Sequence, residues 1–276
     1  MTMVVNTNVL SLITQNDLAN TQNKLSTAVQ QLSSGLRINS AMDDPAGLAI
    51  ATGMQAQVNG MNQGVINANT AIAFAQTADG ALSSVTNMLQ QMRTLAVEAA
   101  NGSNSVASDK DLDAEYQQLA SQITLTLANT QFNGQGVFTS GNTITYQVGA
   151  NTTDQIGVGG MALSGTTALG TGSLGGLTSQ ANATTAIDAV DTAMGLINST
   201  RATNGANEIR FQQVVSSMQV NSQNTAAAQS QIMDTDYAQA TSNLTQAEIV
   251  QQAGTAMLSQ ANMLPQNVLT LLSKLP

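Results

Sequence analysis

The stretch AEIVQQAGTAMLSQANMLPQNVLTLLSKL, residues 247–275, sets its apolar and small side chains in a fixed rhythm. Ala247, Val250, Gly254, Met257, Ala261, Leu264, Val268, Leu271 and Leu275 follow at alternating steps of 3 and 4. That is the 3.5-residue period of a helix whose apolar stripe meets another helix. Leu258 widens the stripe, and the small residues Gly254 and Ala261 let a second helix approach closely. Pro265 lies inside the run and lacks a backbone donor. It is expected to kink or interrupt the helix there.

The other end of the chain uses the same device. Leu18, Leu25, Val29, Leu32 and Leu36 are spaced by 7, 4, 3 and 4 residues, with Asn and Gln dominating the opposite face. Both stripes are narrow, and neither has the broad, bulky face that packs on a globular core. Such helices need a helical partner, either each other or further copies of themselves.

Between the ends lie three more helical stretches. Ala46–Asn101 places Ile50, Met54, Val58, Met61, Val65, Ile72, Leu82, Val85, Leu89, Met92 and Leu95 at roughly helical spacing. Gly53, Gly60, Gly64 and Gly80 weaken it, each by ~1 kcal/mol relative to Ala. Asp109–Asn129 carries Leu112, Tyr116, Leu119, Ile123 and Leu127. Ala183–Ile232 carries Ile187, Val190, Met194, Ile197, Ile209, Val214, Val215 and Met218. Residues 134–176 differ: 12 of the 22 glycines fall there, and Asp154 is the only charge. Alternation over Thr143–Val148 predicts a strand, Ile156–Val158 a second, followed by an irregular loop.

Composition narrows the function. The chain has 276 residues, 16 acidic and 7 basic, for a net charge of −9. A nucleic-acid binder needs a basic surface, and this chain lacks one. Charged residues are only 8 % of the total. The polar surface therefore rests on Asn, Gln, Ser and Thr, which suit close contact without burying charge. Cys, His and Trp are absent. That excludes disulfides, Cys or His metal sites, and nucleophilic catalysis by Cys–His or Ser–His–Asp. Residues 1–16 have no Lys or Arg, no long apolar run and no small-residue cleavage site, so no cleaved secretory signal is expected. No run approaches 18 apolar residues, so no membrane insertion is expected.

The motifs that resemble chemistry read better as structure. Leu32–Gly47, LSSGLRINSAMDDPAG, closes one helix and opens the next. Gly35 permits a bend, Ser40 or Asp43 can cap the following helix, and Pro45 suits its first turn. A paired-carboxylate site at Asp43 and Asp44 would have only Arg37 nearby, a poor proton shuttle. Asp109–Glu115 fails as a calcium loop: its sixth and twelfth positions, counted from Asp109, are Ala114 and Ala120 rather than Gly and Glu. The Gly clusters near 157–160 and 170–172 lack the Lys and helix of a phosphate cradle.

The same segments resemble a known family. LSSGLRINSAMDDPAG is similar to the N-terminal signature of bacterial flagellins, and Val5-Asn6-Thr7-Asn8 to their start. Thr130–Gly134 and Gln147–Asn151 resemble their TQFNG and QVGAN motifs. Gln251–Thr255, Gln260–Asn262 and Pro265–Leu269 resemble their C-terminal signature. The resemblance covers about Val5–Asn151 and Ala183–Leu272. In the run from Asn204 to Phe211, Asn204 and Ile209 stand where the family usually has Leu and Asn.

The resemblance implies a mainly α fold with long terminal coiled-coil helices, a helical rod layer and a small β-hairpin region. It places residues 1–40 and 236–276 in an inner helical domain, 41–182 and 183–235 in an outer one, without the large outer domains of long flagellins. It implies a structural, non-enzymatic subunit of the bacterial flagellar filament, without cofactor. Self-assembly would run through Leu18, Leu25, Val29, Leu32, Leu36, Val250, Met257, Leu264, Val268 and Leu271. Implied partners are further copies of the chain, the hook-associated junction and cap proteins, an export chaperone on the C-terminal segment and the flagellar export apparatus. The location would be the extracellular filament, reached without a cleaved signal peptide. The terminal helices would be disordered in the monomer and fold on assembly. Arg93, Leu95 and Glu115 match positions read by an innate immune receptor, while Gln91 stands where an Arg is usual. The competing readings are the related hook–filament junction protein, whose joint more often reads differently at Gly35–Asp43, a carboxylate-based hydrolase, and a generic coiled-coil adaptor that closes as a finite oligomer.

Overall fold

The computed structural model describes residues 7–138, 143–159, 161, 163, 169 and 172–272, with side chains described through Gln266. Among the described residues there are five helices and four short strands: α1 Val9–Ser34, α2 Pro45–Ala99, α3 Val106–Asn129, β1 Gln131–Phe132, β2 Gln135–Gly136, β3 Ile144–Gln147, β4 Gln155–Val158, α4 Gln180–Met233 and α5 Tyr237–Leu272. The chain divides into two compact units, Met1–Gln55 with Thr225–Pro276, and Ala56–Asn224.

The first unit is built on α1 and α5, which run antiparallel. Their facing positions keep a heptad step: Ser11, Thr14, Leu18, Thr21, Leu25, Ala28 and Leu32 on α1, and Ala240, Leu244, Ala247, Gln251, Gly254, Leu258 and Ala261 on α5, all buried or half-buried. Small residues bring the backbones together. A Cβ on Gly254 would touch Leu18 Cδ1 at 3.5 Å. The buried Thr21 hydroxyl is satisfied by donating to the Asp17 carbonyl at 2.8 Å.

Helix α5 continues through Pro265 without interruption. An N–H at residue 265 would bond the carbonyl of Ala261, four residues back. Instead the Asn8 side-chain amide donates to that carbonyl at 2.8 Å. The same Asn8 caps α1 by accepting from the Ser11 N–H at 3.1 Å. One side chain thus ends one helix and replaces the donor missing from the other.

The two joints of this unit are bound together. Gly35, at φ 74°, ends α1 in the left-handed conformation. Thr235 N–H donates to the Gly35 carbonyl at 2.9 Å, and Arg37 N–H to the Met233 carbonyl at 2.6 Å. The Arg37 guanidinium also donates to the Ile232 carbonyl at 2.6 Å, a cation on the negative end of α4. The cap of α2 is Asp44, which accepts from the Ala46 and Gly47 N–H groups at 3.1 and 3.0 Å. Asp43, expected as a cap, instead closes the preceding turn by accepting from Asn39 and Ser40. Pro45 at the first helical position puts its neighbour Asp44, not Asp43, within reach of the free N–H groups.

The second unit has a conventional core. Leu82, Val85, Leu89 and Met92 of α2, Tyr116, Ile123 and Leu127 of α3, and Val190, Ile197 and Phe211 of α4 are buried in one cluster. Two hairpins and a loop cover it. Asn133 and Gly134, both at positive φ, turn β1 into β2, the conformation a two-residue type I′ hairpin turn needs. Phe132 meets Phe74 edge-on at 5.8 Å, and Tyr146 of β3 meets Phe211 at 5.7 Å. Gly60 and Gly64, read from sequence as weak points, are contact points. A Cβ on Gly60 would lie 2.7 Å from Ala150 Cβ, and one on Gly64 2.6 Å from the Val148 carbonyl carbon. The loop after β3 rests on helix backbone there. Residues 174–177 are strapped to α3: Tyr116 hydroxyl donates to the Leu174 carbonyl, Gln117 to that of Gly175 at 3.0 Å, and Leu177 N–H to Asp113 at 2.7 Å.

Candidate functional site

Of the predicted assembly residues, Leu18, Leu25 and Leu32 face α5 within the same chain and are half-buried. Val29 turns away and is 50 % exposed. Leu36 is half-buried and bridges to Asp234, so it serves the joint. On α5 the sequence stripe separates into two adjacent faces. Ala247, Gly254 and Ala261 go to the seam with α1. Val250, Met257 and Leu264, each one heptad from the next, remain 46, 56 and 42 % exposed. Helix α5 reaches Leu272, but the side chains of Val268 and Leu271 lie outside those described.

Further large apolar residues lie open on the same helices: Leu10, Leu12 and Ile13 on α1, and Ile249 and Met263 on α5. A monomer normally exposes such residues singly. Here they lie on more than one face of each helix, because neighbours such as Leu12 and Ile13 point about 100° apart, whereas Val250, Met257 and Leu264 keep to one line by their heptad spacing. The charges on this pair are few: Asp17, Lys24 and Glu248 among the described side chains.

The predicted receptor residues lie in the second unit. Arg93 is exposed and donates to both carboxylate oxygens of Asp191, at 2.7 and 3.3 Å. That pairing draws the Asp191 carboxyl below its ordinary range and pushes the Arg93 guanidinium up. Glu115 is exposed, and Leu95 packs half-buried against the core. Leu89 and Met92, in the same stretch, are buried.

The two sequence departures lie in opposite surroundings. Asn204 is buried and its amide donates to the Ala75 carbonyl at 2.7 Å. Ile209, predicted to be a regular helix position, is 68 % exposed, because the buried line of α4 runs through Asn204 and Phe211.

No helix of the described residues is long and apolar enough to cross a membrane. Among them, no group of three or more Asp or Glu is placed to hold a metal ion.

Comparison with known proteins identifies this arrangement. The family model of the bacterial flagellin N-terminal helical region matches residues 5–143, and that of the C-terminal helical region residues 187–272. The chain belongs to the flagellin family. A flagellin of Halalkalibacterium halodurans is 38 % identical over 274 residues, covering 98 % of this chain and all of that one. A flagellar filament 33 kDa core protein of Treponema phagedenis is 36 % identical over 285 aligned residues, again covering 98 % of this chain and all of that one. The crystal structure of Bacillus cereus flagellin superposes with a TM-score of 0.51 at 34 % identity, covering 59 % of this chain and 94 % of that one. This flagellin is a structural subunit of the bacterial flagellar filament, not an enzyme. The short form without large outer domains agrees with relatives matched over their full length.

The sequence does not show that Asn8 and Arg37 fix helix ends, and for α2 it offers Ser40 or Asp43 as the cap where Asp44 serves. The signal for Asn8 was present: an amide side chain opposite a proline-bearing helix can supply a donor where the backbone cannot.

Proposed function

We propose that subunits of this flagellin polymerise through the half-exposed line Val250, Met257 and Leu264, continued by Val268 and Leu271. The single observation that carries the reading is the exposure of these three side chains beside an already filled seam. Burying them removes apolar surface from water at about 25 cal/mol per Å². Leu18, Leu25, Leu32 and Leu36 then act within the chain, presenting α5 in register, and Val29 contributes to a second flank. Residues 1–40 and 236–276 form the inner domain, and 41–182 with 183–235 the outer one. The filament lies outside the cell, and the chain reaches it through the flagellar export apparatus. An export chaperone covers the C-terminal segment until then. Hook-associated junction and cap proteins meet the two ends of the polymer.

Electron microscopy of purified, depolymerised protein after seeding or salting tests this. Long helical filaments with a narrow channel are expected, and they should be lost when residues 247–276 are removed. Monomers or small closed oligomers under conditions that polymerise another flagellin would reject it.

The exposed Arg93 and Glu115, with half-buried Leu95, also favour contact with an innate immune receptor. Gln91 in place of Arg predicts weaker activation of receptor-reporter cells than a fully matching flagellin gives. Equal activation would reject that expectation.

A further inference from the structure

The α1/α5 pair has two flanks, and they differ in charge. Residues two apart on a helix point about 200° from each other. Glu248 and Val250 therefore lie on opposite sides of α5. On the Val250 side a groove of about 580 Å³ runs along the pair, lined by Lys24, Thr27 and Gln31 of α1 and by Asn243, Gln246 and Val250 of α5. Met257 and Leu264 extend that side, one and two heptads on from Val250. On the other side lie Glu248 and the exposed Val29. Gln22 and Gln251 are hydrogen-bonded there at 2.7 Å, a heptad before Val29 and one turn after Glu248. Among the described residues, Lys24 and Glu248 enter no ion pair. Asp17, a heptad before Lys24, stands on the groove side.

We infer that a second copy of this chain docks its Glu248 flank into the groove of the first, with Lys24 of one copy against Glu248 of the next. The inference rests on the self-assembly reading above and deepens it. A contact between two different flanks does not close on itself, so repeating it builds an open helix rather than a dimer. Opposite charges at the two flanks favour this heterologous contact. They oppose a groove-to-groove one that sets Lys24 against Lys24. The apolar line supplies the area and the single charge pair sets the register.

The test uses the full-length protein, depolymerised, seeded and sedimented to give its critical concentration. Lys24→Glu and Glu248→Lys should each raise that concentration about tenfold. The double variant, which restores opposite charges, should return to within about threefold of the unsubstituted protein. The defects of the single variants should change with salt, because screening weakens exposed charge pairs. Unfolding of the core around Leu89 and Met92 should be the same in all variants. Single variants without effect, or a double variant no better than the worse single one, would overturn the pairing while leaving the assembly reading intact. Rescue of Lys24→Glu by Asp17→Lys instead of Glu248→Lys would also overturn it, since the groove would then pair with itself. Unsubstituted protein that forms no filament removes the assembly reading and this pairing together.

Discussion

In the second unit, the heptad positions of α2 hold Leu82, Val85, Leu89 and Met92, all fully covered. In the first unit, the same rhythm on α5 holds Ala240, Ala247, Gly254 and Ala261, while Val250, Met257 and Leu264 beside them stay half exposed. One rhythm therefore serves two ends. Large residues at the facing positions make a core that is complete within the chain. The small residues interleaved there bring two helices close and leave Val250, Met257 and Leu264 on the outside. Under the proposed assembly, the stability of the first unit is tied to protein concentration, as for any element completed by association.

The largest test of this contrast is Leu89→Ala. Truncating a fully buried Leu should cost about 3 kcal/mol, a fall of about 9 °C in the calorimetric Tm of the second unit. High pH probes the same core. Burial, helped by the nearby Asp113 carboxylate, pushes the Tyr116 hydroxyl from 10 up to about 12. A raised folded value means the neutral form is favoured in the fold. The stability it carries, about 2–3 kcal/mol, is intact below pH 10 and lost as pH rises to about 12. Denaturant titrations across that window should show the loss, and Tyr116→Phe should flatten it.

Gly64→Ala should cost about 2 kcal/mol, because the added methyl meets the Val148 carbonyl. Gly80→Ala in the same helix meets nothing within 4 Å and should instead gain up to about 1 kcal/mol. Urea midpoints of the two variants should move in opposite directions. Asp79→Asn breaks the ion pair with Arg201, at 2.8 Å but with side chains 45 and 33 % exposed. Solvent screening limits that loss to less than about 1 kcal/mol. The smallest effect on the core is expected from Met257→Asp. It should leave the Tm of the second unit unchanged and yet abolish sedimentable filaments. A shift in that Tm would break the comparison.

The helices were legible because heptad spacing survives any reading frame: Leu82, Leu89, Tyr116, Ile123, Val190 and Ile197 all fell where the periodicity put them. Which face of α5 turns inward was not legible. The run from Ala247 to Leu264 interleaves small and large residues, so both faces satisfy the same 3–4 step, and only the partner decides between them. Gly60 and Gly64 carried no sign of their role, since the loop they receive comes from residues far along the chain. The strap at 174–177 was hidden for a different reason. Its fixing groups are Asp113, Tyr116 and Gln117 on α3, and a Gly-rich loop has no period of its own to betray where it docks. Around Pro265 the sequence shows the missing donor, which predicts a kink or an interruption, but not the substitute from Asn8 that lets the helix run on.

That substitute has a consequence for how a polymer could check its parts. Asn8 and Ala261 are 253 residues apart, and their bond is available only when both ends of the chain are present. A subunit stopped anywhere before Ala261 would present a helix start with no acceptor for Asn8 and no Pro-bearing helix to receive it. It would also lack most of the line that begins at Val250. Closing a contact this distant in sequence costs loop-closure entropy, and it forms only on a chain that carries both ends. One bond thus joins the first and last helices, so the fold of the inner pair and the presentation of Val250, Met257 and Leu264 depend on both ends of the same chain.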